Sequence, residues 1–321
     1  MNTNRWIARK EANWKILDKL LQKSEKKGLK SLSATEIKEL ASLYRSVSAD
    51  FAKAKTNKLG NTLTQELQTL TARGYSQIYQ GSRRQEWQKV KEFYLWGFPE
   101  VVRETAPYTA IATAIFLLPA LIGWWYVWRD PVFLDLAVPQ ALIEQVRDRG
   151  ELWMGSIVGN EPIASSGIMT NNLGVAFKAV SGGVTAGIIT IYIMALNGLH
   201  IGTIGALVTQ NNLGYPFWAF VVPHGSLELP AIFLAGGAGL LIGKAMVFPG
   251  QYRRIDAIKI NGKKAAQLVF GIIPILIIAG IIEGFFSPNP AIPDGIKYLA
   301  GLIIFGLFIL YLSRQKLLVS G

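Results

Sequence analysis

The sequence predicts an all-α polytopic membrane protein: about six transmembrane helices preceded by an N-terminal cytoplasmic helical segment. Three observations predict it. Half of the 321 residues are hydrophobic and only 17% are charged, and the apolar residues gather in runs near the ~20 residues that cross a hydrocarbon core. The charge is segregated, with 20 Lys and Arg against 11 Asp and Glu in residues 1–104, and only 13 and 10 in the rest. The polar part repeats its apolar residues at helical spacing. A basic segment followed by a membrane domain explains the formal charge of +12 through topology, so no nucleic-acid partner is expected. The absence of cysteine excludes disulfides, thiolate metal sites and thiol catalysis.

Residues 1–104 form the first expected domain. Trp14, Leu17, Leu20 and Leu21 recur at helical spacing between lysines. Ser33-Ala-Thr-Glu36 is a capping box, in which the Ser hydroxyl and the Glu carboxylate each satisfy an amide of the first turn. It opens a helix with Ile37, Leu40, Leu43, Tyr44, Val47 and Phe51 on one face, broken at 57–61, where Gly60 lies. A third helix is expected over about 62–79. The stretch 85–103 mixes Trp87, Phe93, Tyr94, Trp96 and Phe98 with Arg and Lys, a composition suited to a helix in the lipid headgroup zone. No cleavable signal peptide precedes it, so the first apolar run is expected to act as an internal insertion signal.

Residues 105–321 form the second domain, with expected spans at roughly 106–128, 174–196, 198–222, 227–248, 264–284 and 296–313. Only Asn197-Gly198 separates the second from the third, which leaves open a tight hairpin or a broken, re-entrant segment. The connector 129–172 has three basic and six acidic residues, whereas 249–263 has four basic and one acidic, and the tail carries Arg314 and Lys316. The positive-inside rule then places both termini in the cytoplasm and 129–172 outside. This is the orientation of a protein in the bacterial cytoplasmic membrane or an internal membrane of equivalent topology. Gly183 and Gly187, Gly198 and Gly202, and Gly239 and Gly243 are four-residue pairs of the kind that let helix backbones approach closely in lipid. They indicate a compact bundle or a homodimer.

Several polar groups fall at one expected depth, toward the outer side: Asn171, Asn172, His224, Glu228 and Glu283. Intramembrane ionisable groups are functional candidates by default, whereas Lys178 and Lys244 lie close enough to helix ends to reach the headgroups. In Val222-Pro-His-Gly-Ser-Leu-Glu-Leu-Pro230, Ser226 reads as an N-cap, which puts Glu228 in the first turn of a helix, beside its exposed amides. That reading separates His224 from Glu228, because they share a face only if the helix already includes His224. A zinc site needs at least three protein ligands, and His200 is expected near the opposite membrane face. Glu283 has no such explanation, since a carboxylate at a helix C-terminus faces the negative end of the dipole. Gly284 reads as the cap that follows it.

The segments "LSATEIKELASLYRSVSADFAKAK" (32–55), "IYQG" (78–81) and "FYLWGFPEVVRETAPY" (93–108), followed by "NNLGVAFKAVSGG" (171–183), "PHGSLELPAIFLAGGAGLLIG" (223–243) and "IIEGFFSP" (281–288), resemble the stage II sporulation protein M family. The resemblance covers nearly the whole chain. It implies a cytoplasmic helical segment joined to a multi-helix membrane domain. The family's namesake acts in a sporulation complex with cell-wall hydrolases during engulfment. Other members occur outside spore formers, often encoded beside RDD-type membrane proteins and MoxR-type ATPases. It marks Asn171, Asn172, His224, Gly225, Glu228, Glu283 and Gly284 as motif positions and carries no catalytic role for them.

These observations favour a non-enzymatic membrane scaffold or complex subunit. Its expected partners are the lipid bilayer, other membrane proteins and a cytoplasmic partner of the N-terminal helices. No catalytic, cofactor-binding or metal-ligating residue is assigned, and no cofactor is expected. A transporter for a cation or small polar solute, using the outer-side carboxylates, is the second reading. An intramembrane metal-dependent hydrolase is the third. The chain has no phosphate-binding loop of the P-loop type, so nothing points to ATP hydrolysis.

Overall fold

The computed structural model describes residues 3–316; its regular structure is helical, with no strand among the described residues. The side chains at 80–86 lie outside the described residues, and with them the Gln85 end of the expected interfacial segment. The chain divides into two compact units, 1–93 and 94–321.

The first unit contains α1 (Thr3–Lys27), α2 (Ala34–Thr56), α3 (Asn61–Tyr75), a π-helical turn (Ser76–Gln80) and α4 (Gly81–Glu92). The capping box opens α2: the Glu36 amide donates to Ser33 Oγ at 3.2 Å, and the Ser33 amide to Glu36 Oε2 at 2.7 Å. The hydrogen bond from Lys23, at 2.6 Å, holds the Glu36 carboxyl below its usual range. Gly60, at φ +108°, makes the break before α3. The core gathers Trp6, Trp14, Leu17, Leu21, Leu40, Val47, Ala54 and Leu67. Trp14 Nε1 donates to the buried Asp50 carboxylate at 3.1 Å, which also meets Lys10 Nζ at 3.5 Å. Arg73 ties α3 to α1 through Asp18 at 2.6 Å and Glu25 at 2.9 Å.

The second unit contains α5 (Phe98–Glu104), α6 (Ala106–Arg129), α7 (Pro131–Ala137), α8 (Gln140–Arg147), α9 (Glu161–Ser181), α10 (Ile188–Gln210), α11 (Gly214–Val247), α12 (Arg254–Ile281) and α13 (Asp294–Leu312). It begins earlier than the expected boundary at 104 because the residues around α5 pack on the bundle. Tyr94 Oη donates to Phe270 O at 2.9 Å, and Arg103 donates to Leu312 O and Arg314 O, supplying cationic donors to the C-terminal end of α13. Among the described residues, five helices are long and apolar enough to cross a membrane: α6, α10, α11, α12 continued to Phe286, and α13. The protein is thus all-α, polytopic and integral to a membrane.

Glycines set the helix directions. The missing side chains of Gly198 and Gly202 leave room for the carbonyls of Phe116 and Ala120, and Gln210 Nε2 donates to Val127 O at 3.2 Å. The sequence order of these contacts makes α6 and α10 parallel, so the chain between them must return along the bundle. α9 makes that return, running antiparallel to α12 with Ser165 against Gly284 and Met169 against Gly280. It ends in a 3-10 turn over Gly182–Thr185, followed by two left-handed residues, Ala186 at φ +56° and Gly187 at φ +86°. Thr190 Oγ1 closes the turn on Ala179 O at 2.7 Å. The turn is seated against Gly239 and Gly243 of α11, where a Cβ on Gly243 would lie 2.7 Å from the Gly187 amide nitrogen.

Three expected boundaries are corrected by this geometry. The break falls at 182–187, not at Asn197-Gly198, which lie inside α10; the expected spans 174–196 and 198–222 are replaced by α9 and α10. The last twelve residues of the expected connector 129–172, from Glu161 on, belong to α9. Its first half folds as α7 and α8, whose Leu134, Ile143 and Val146 join Leu207 and Phe217 in one apolar cluster. The expected helix start at Ser226 is absent, because α11 runs unbroken through Pro223, Gly225, Ser226 and Pro230. Ser226 Oγ instead donates back to Pro223 O at 2.8 Å, the in-helix alternative to capping. Proline is tolerated inside a membrane helix where neighbouring helices and hydroxyls compensate the lost amide. Gly183 and Gly187 therefore serve the turn, while Gly198, Gly202, Gly239 and Gly243 sit at close backbone approaches.

Candidate functional site

Continuity of α11 puts His224 and Glu228 four residues apart on one helical face. At about 1.5 Å per residue they lie roughly 15 and 21 Å from its N-terminal end, so Glu228 is well inside the helix and not in a first turn. Opposite them, α12 passes into a π-helical turn over Ile282–Phe286, with the Ser287 amide bonded to Ile282 O at 2.9 Å. Such widened turns are frequent at functional sites. Gly284 is therefore not the expected cap. It lies within the π turn, and its missing side chain makes room for Ser165 of α9, whose hydroxyl donates to Gly280 O at 2.8 Å.

This brings three titratable groups together. Each of His224, Glu228 and Glu283 offers a nitrogen or carboxylate oxygen within 4.8 Å of the other two. His224 is 5% exposed; its Nε2 is 3.8 Å from Glu283 Oε1, and its Nδ1 is 3.1 Å from Oγ of the fully buried Ser287. Phe220, one turn before it, meets the ring edge-on at 5.2 Å between centroids. Glu228 Oε2 and Glu283 Oε2 are buried without a hydrogen-bond partner. Two ionised carboxylates held this close repel strongly in a low-dielectric interior, so the arrangement calls for positive charge between them, as a shared proton or a cation.

The other expected members stand apart. Asn172 is buried and accepts a hydrogen bond from Asn171 at 3.4 Å, whereas Asn171 is exposed. Among the described residues no hydrogen bond joins either to the His–Glu group. His200 is near the middle of α10, beside Phe133 and Leu136 of α7, and not at a helix end. Ser287 and Ser165 were not singled out from sequence. Ser287 had a signal, its i,i+4 spacing from Glu283; Ser165 had none, because its segment reads as a connector.

A family model described as Stage II sporulation protein M matches residues 112–288, more than half of the chain. The chain belongs to the stage II sporulation protein M family. The matched segment contains His224, Glu228, Glu283 and Ser287, so the whole site lies within the part shared with the stage II sporulation protein M model. Residues 4–80 match a second model, described as a domain of unknown function, which covers α1 to α3 of the first unit. An uncharacterized protein of Methanocaldococcus jannaschii is 29% identical over 126 residues, 39% of this chain and 71% of that relative. No solved structure matches the chain.

Proposed function

We propose that this protein is a non-enzymatic scaffold or complex subunit of the cytoplasmic membrane, one that organises partner proteins through its two units. The observation that carries the reading is the division of the chain. A basic helical unit with its own core of tryptophans and leucines is joined to a separately packed apolar bundle. A unit of that kind suits a cytoplasmic partner or an anionic lipid surface. The parallel direction of α6 and α10 supports counting α9 as a crossing, which gives six with α11, α12 and α13. Six crossings put both termini on one side. Arg253, Arg254, Lys259, Lys263 and Lys264 in one connection and Arg314 and Lys316 in the tail favour the cytoplasm. The test is the size and composition of the complex released from native membranes by mild detergent. A partner protein at fixed stoichiometry is expected, and migration as the 35.3 kDa chain or its homo-oligomer alone would refute the reading.

A second reading, transport of a cation or polar solute, is favoured by one observation: Glu228 lies deep in a continuous helix. Proteoliposomes should then show a flux of monovalent or divalent cations that Glu283→Gln abolishes. Equal flux in protein-free vesicles would dispose of it.

A further inference from the structure

We infer that His224, Glu228 and Glu283 form a binding site for one divalent transition-metal cation, Zn2+ foremost. The inference is independent of both functional readings above.

Four features of the site carry it. The donors are of the right kind and number: one imidazole nitrogen and two carboxylates, each able to place an atom within 4.8 Å of the others. Three protein ligands on a tetrahedral ion leave one position for water or a solute. The site is built on two helices: His224 and Glu228 at i,i+4 on α11, and Glu283 on the π turn that ends α12. One oxygen of each carboxylate is buried without a partner, a costly arrangement in a bundle interior that ligation would relieve. Finally, the imidazole is oriented for the task. Ser287 Oγ holds Nδ1 at 3.1 Å, which leaves Nε2 facing Glu283. Metal-ligating histidines characteristically bind their second nitrogen in this way, fixing the ring and its tautomer.

The donor set also selects the ion. Imidazole favours Zn2+ and its transition-metal neighbours, whereas Mg2+ and Ca2+ take oxygen ligands almost exclusively and in larger number. A bound dication would neutralise both carboxylates and link α11 to α12 inside the bundle.

The test uses the full chain in nanodiscs, stripped of metal and titrated with Zn2+, Mn2+, Co2+ and Mg2+. Saturable binding of one Zn2+ per chain is expected, with Co2+ giving the intense visible bands of a four-coordinate site. Glu228→Gln and Glu283→Gln keep the shape of each side chain and should each abolish that spectrum while leaving the elution profile unchanged. Ser287→Ala should weaken Zn2+ binding about 10–100-fold, as loss of an outer hydrogen bond does elsewhere, without removing it. Failure of the wild-type chain to bind Zn2+ or Co2+ saturably, a preference for Mg2+, or wild-type binding in both Gln variants would each overturn the assignment. In the first case a shared proton occupies the site instead.

Discussion

Replacing Gly198 by Ala should loosen the protein more than its size suggests. An added Cβ would fall on the Phe116 carbonyl oxygen and lie 2.8 Å from its carbon and 3.1 Å from its Cα. All three are backbone atoms of α6, so no rotamer change relieves the clash. Overpacking of this kind costs about 1–3 kcal/mol, and a rigid backbone neighbour puts the value at the upper end. Ala gains about 1 kcal/mol over Gly in helix propensity, which leaves a net loss of about 2 kcal/mol. Gly202→Ala meets Ala120 in the same way, with its carbon at 2.7 Å. One sideways displacement of α6 relieves both clashes, so the double variant should lose less than the sum of the singles. Gly306→Ala on α13, where a Cβ meets nothing within 4 Å, is the control and should be neutral or slightly stabilising. Thermal unfolding in mild detergent, followed by size-exclusion recovery, measures all four. If Gly198→Ala behaves like Gly306→Ala, the parallel contact of α6 and α10 is wrong, and with it the return of the chain through α9.

Three further outcomes follow from other parts of the molecule. Asp50→Ala strands the buried indole N–H of Trp14 and should destabilise the first unit by about 2 kcal/mol, read from tryptophan fluorescence in a denaturant titration. Glu36 has a depressed folded-state pKa, so its contribution is present above its unfolded value of 4.5 and is lost as pH falls through the lower folded value. The Tm difference between wild type and Glu36→Gln should therefore be full at neutral pH, persist at pH 4.5 and vanish at still lower pH. Gly187→Ala should cost about 1–2 kcal/mol through its left-handed backbone and not through collision, since the nearest side-chain atom is 3.6 Å away. Gly187→Asn should recover part of the loss in the same thermal assay.

Much of this organisation was legible in the sequence. The capping box, the break at Gly60 and the spans of α6 and α13 all follow from local chemistry and the length of apolar runs. The segment between 161 and 248 was not legible, for one reason. Hydropathy records which residues tolerate lipid and is blind to where the backbone turns among them. Asn197-Gly198 has the composition of a turn, yet Asn197 Nδ2 donates to Ile193 O at 2.8 Å and Gly198 is needed for the approach of α6. The true turn at 182–187, Gly-Gly-Val-Thr-Ala-Gly, lies inside an apolar run where its glycines read as helix-packing residues. Ser226 likewise has cap chemistry and uses it on a carbonyl of its own helix. At the site, the types of the residues were legible but their alignment was not. Placing His224 and Glu228 on one face required knowing that Gly225 and Ser226 do not interrupt α11. Placing Glu283 against them required the π turn.

The turn between α9 and α10 also constrains how the protein is made. Its walls, Gly239 and Gly243, belong to a later helix, so synthesis must pass Gly243 before the turn and the α9 that leads into it can settle. Until then α10 can dock on α6, which precedes it, while α9 lacks both its seat on α11 and its neighbour α12. Assembly from the N-terminus is therefore out of step with chain order, with the earliest returning helix of the bundle among the last pieces fixed. A nascent chain stalled short of residue 243 should expose α9 to proteases or lipid probes that the finished protein excludes.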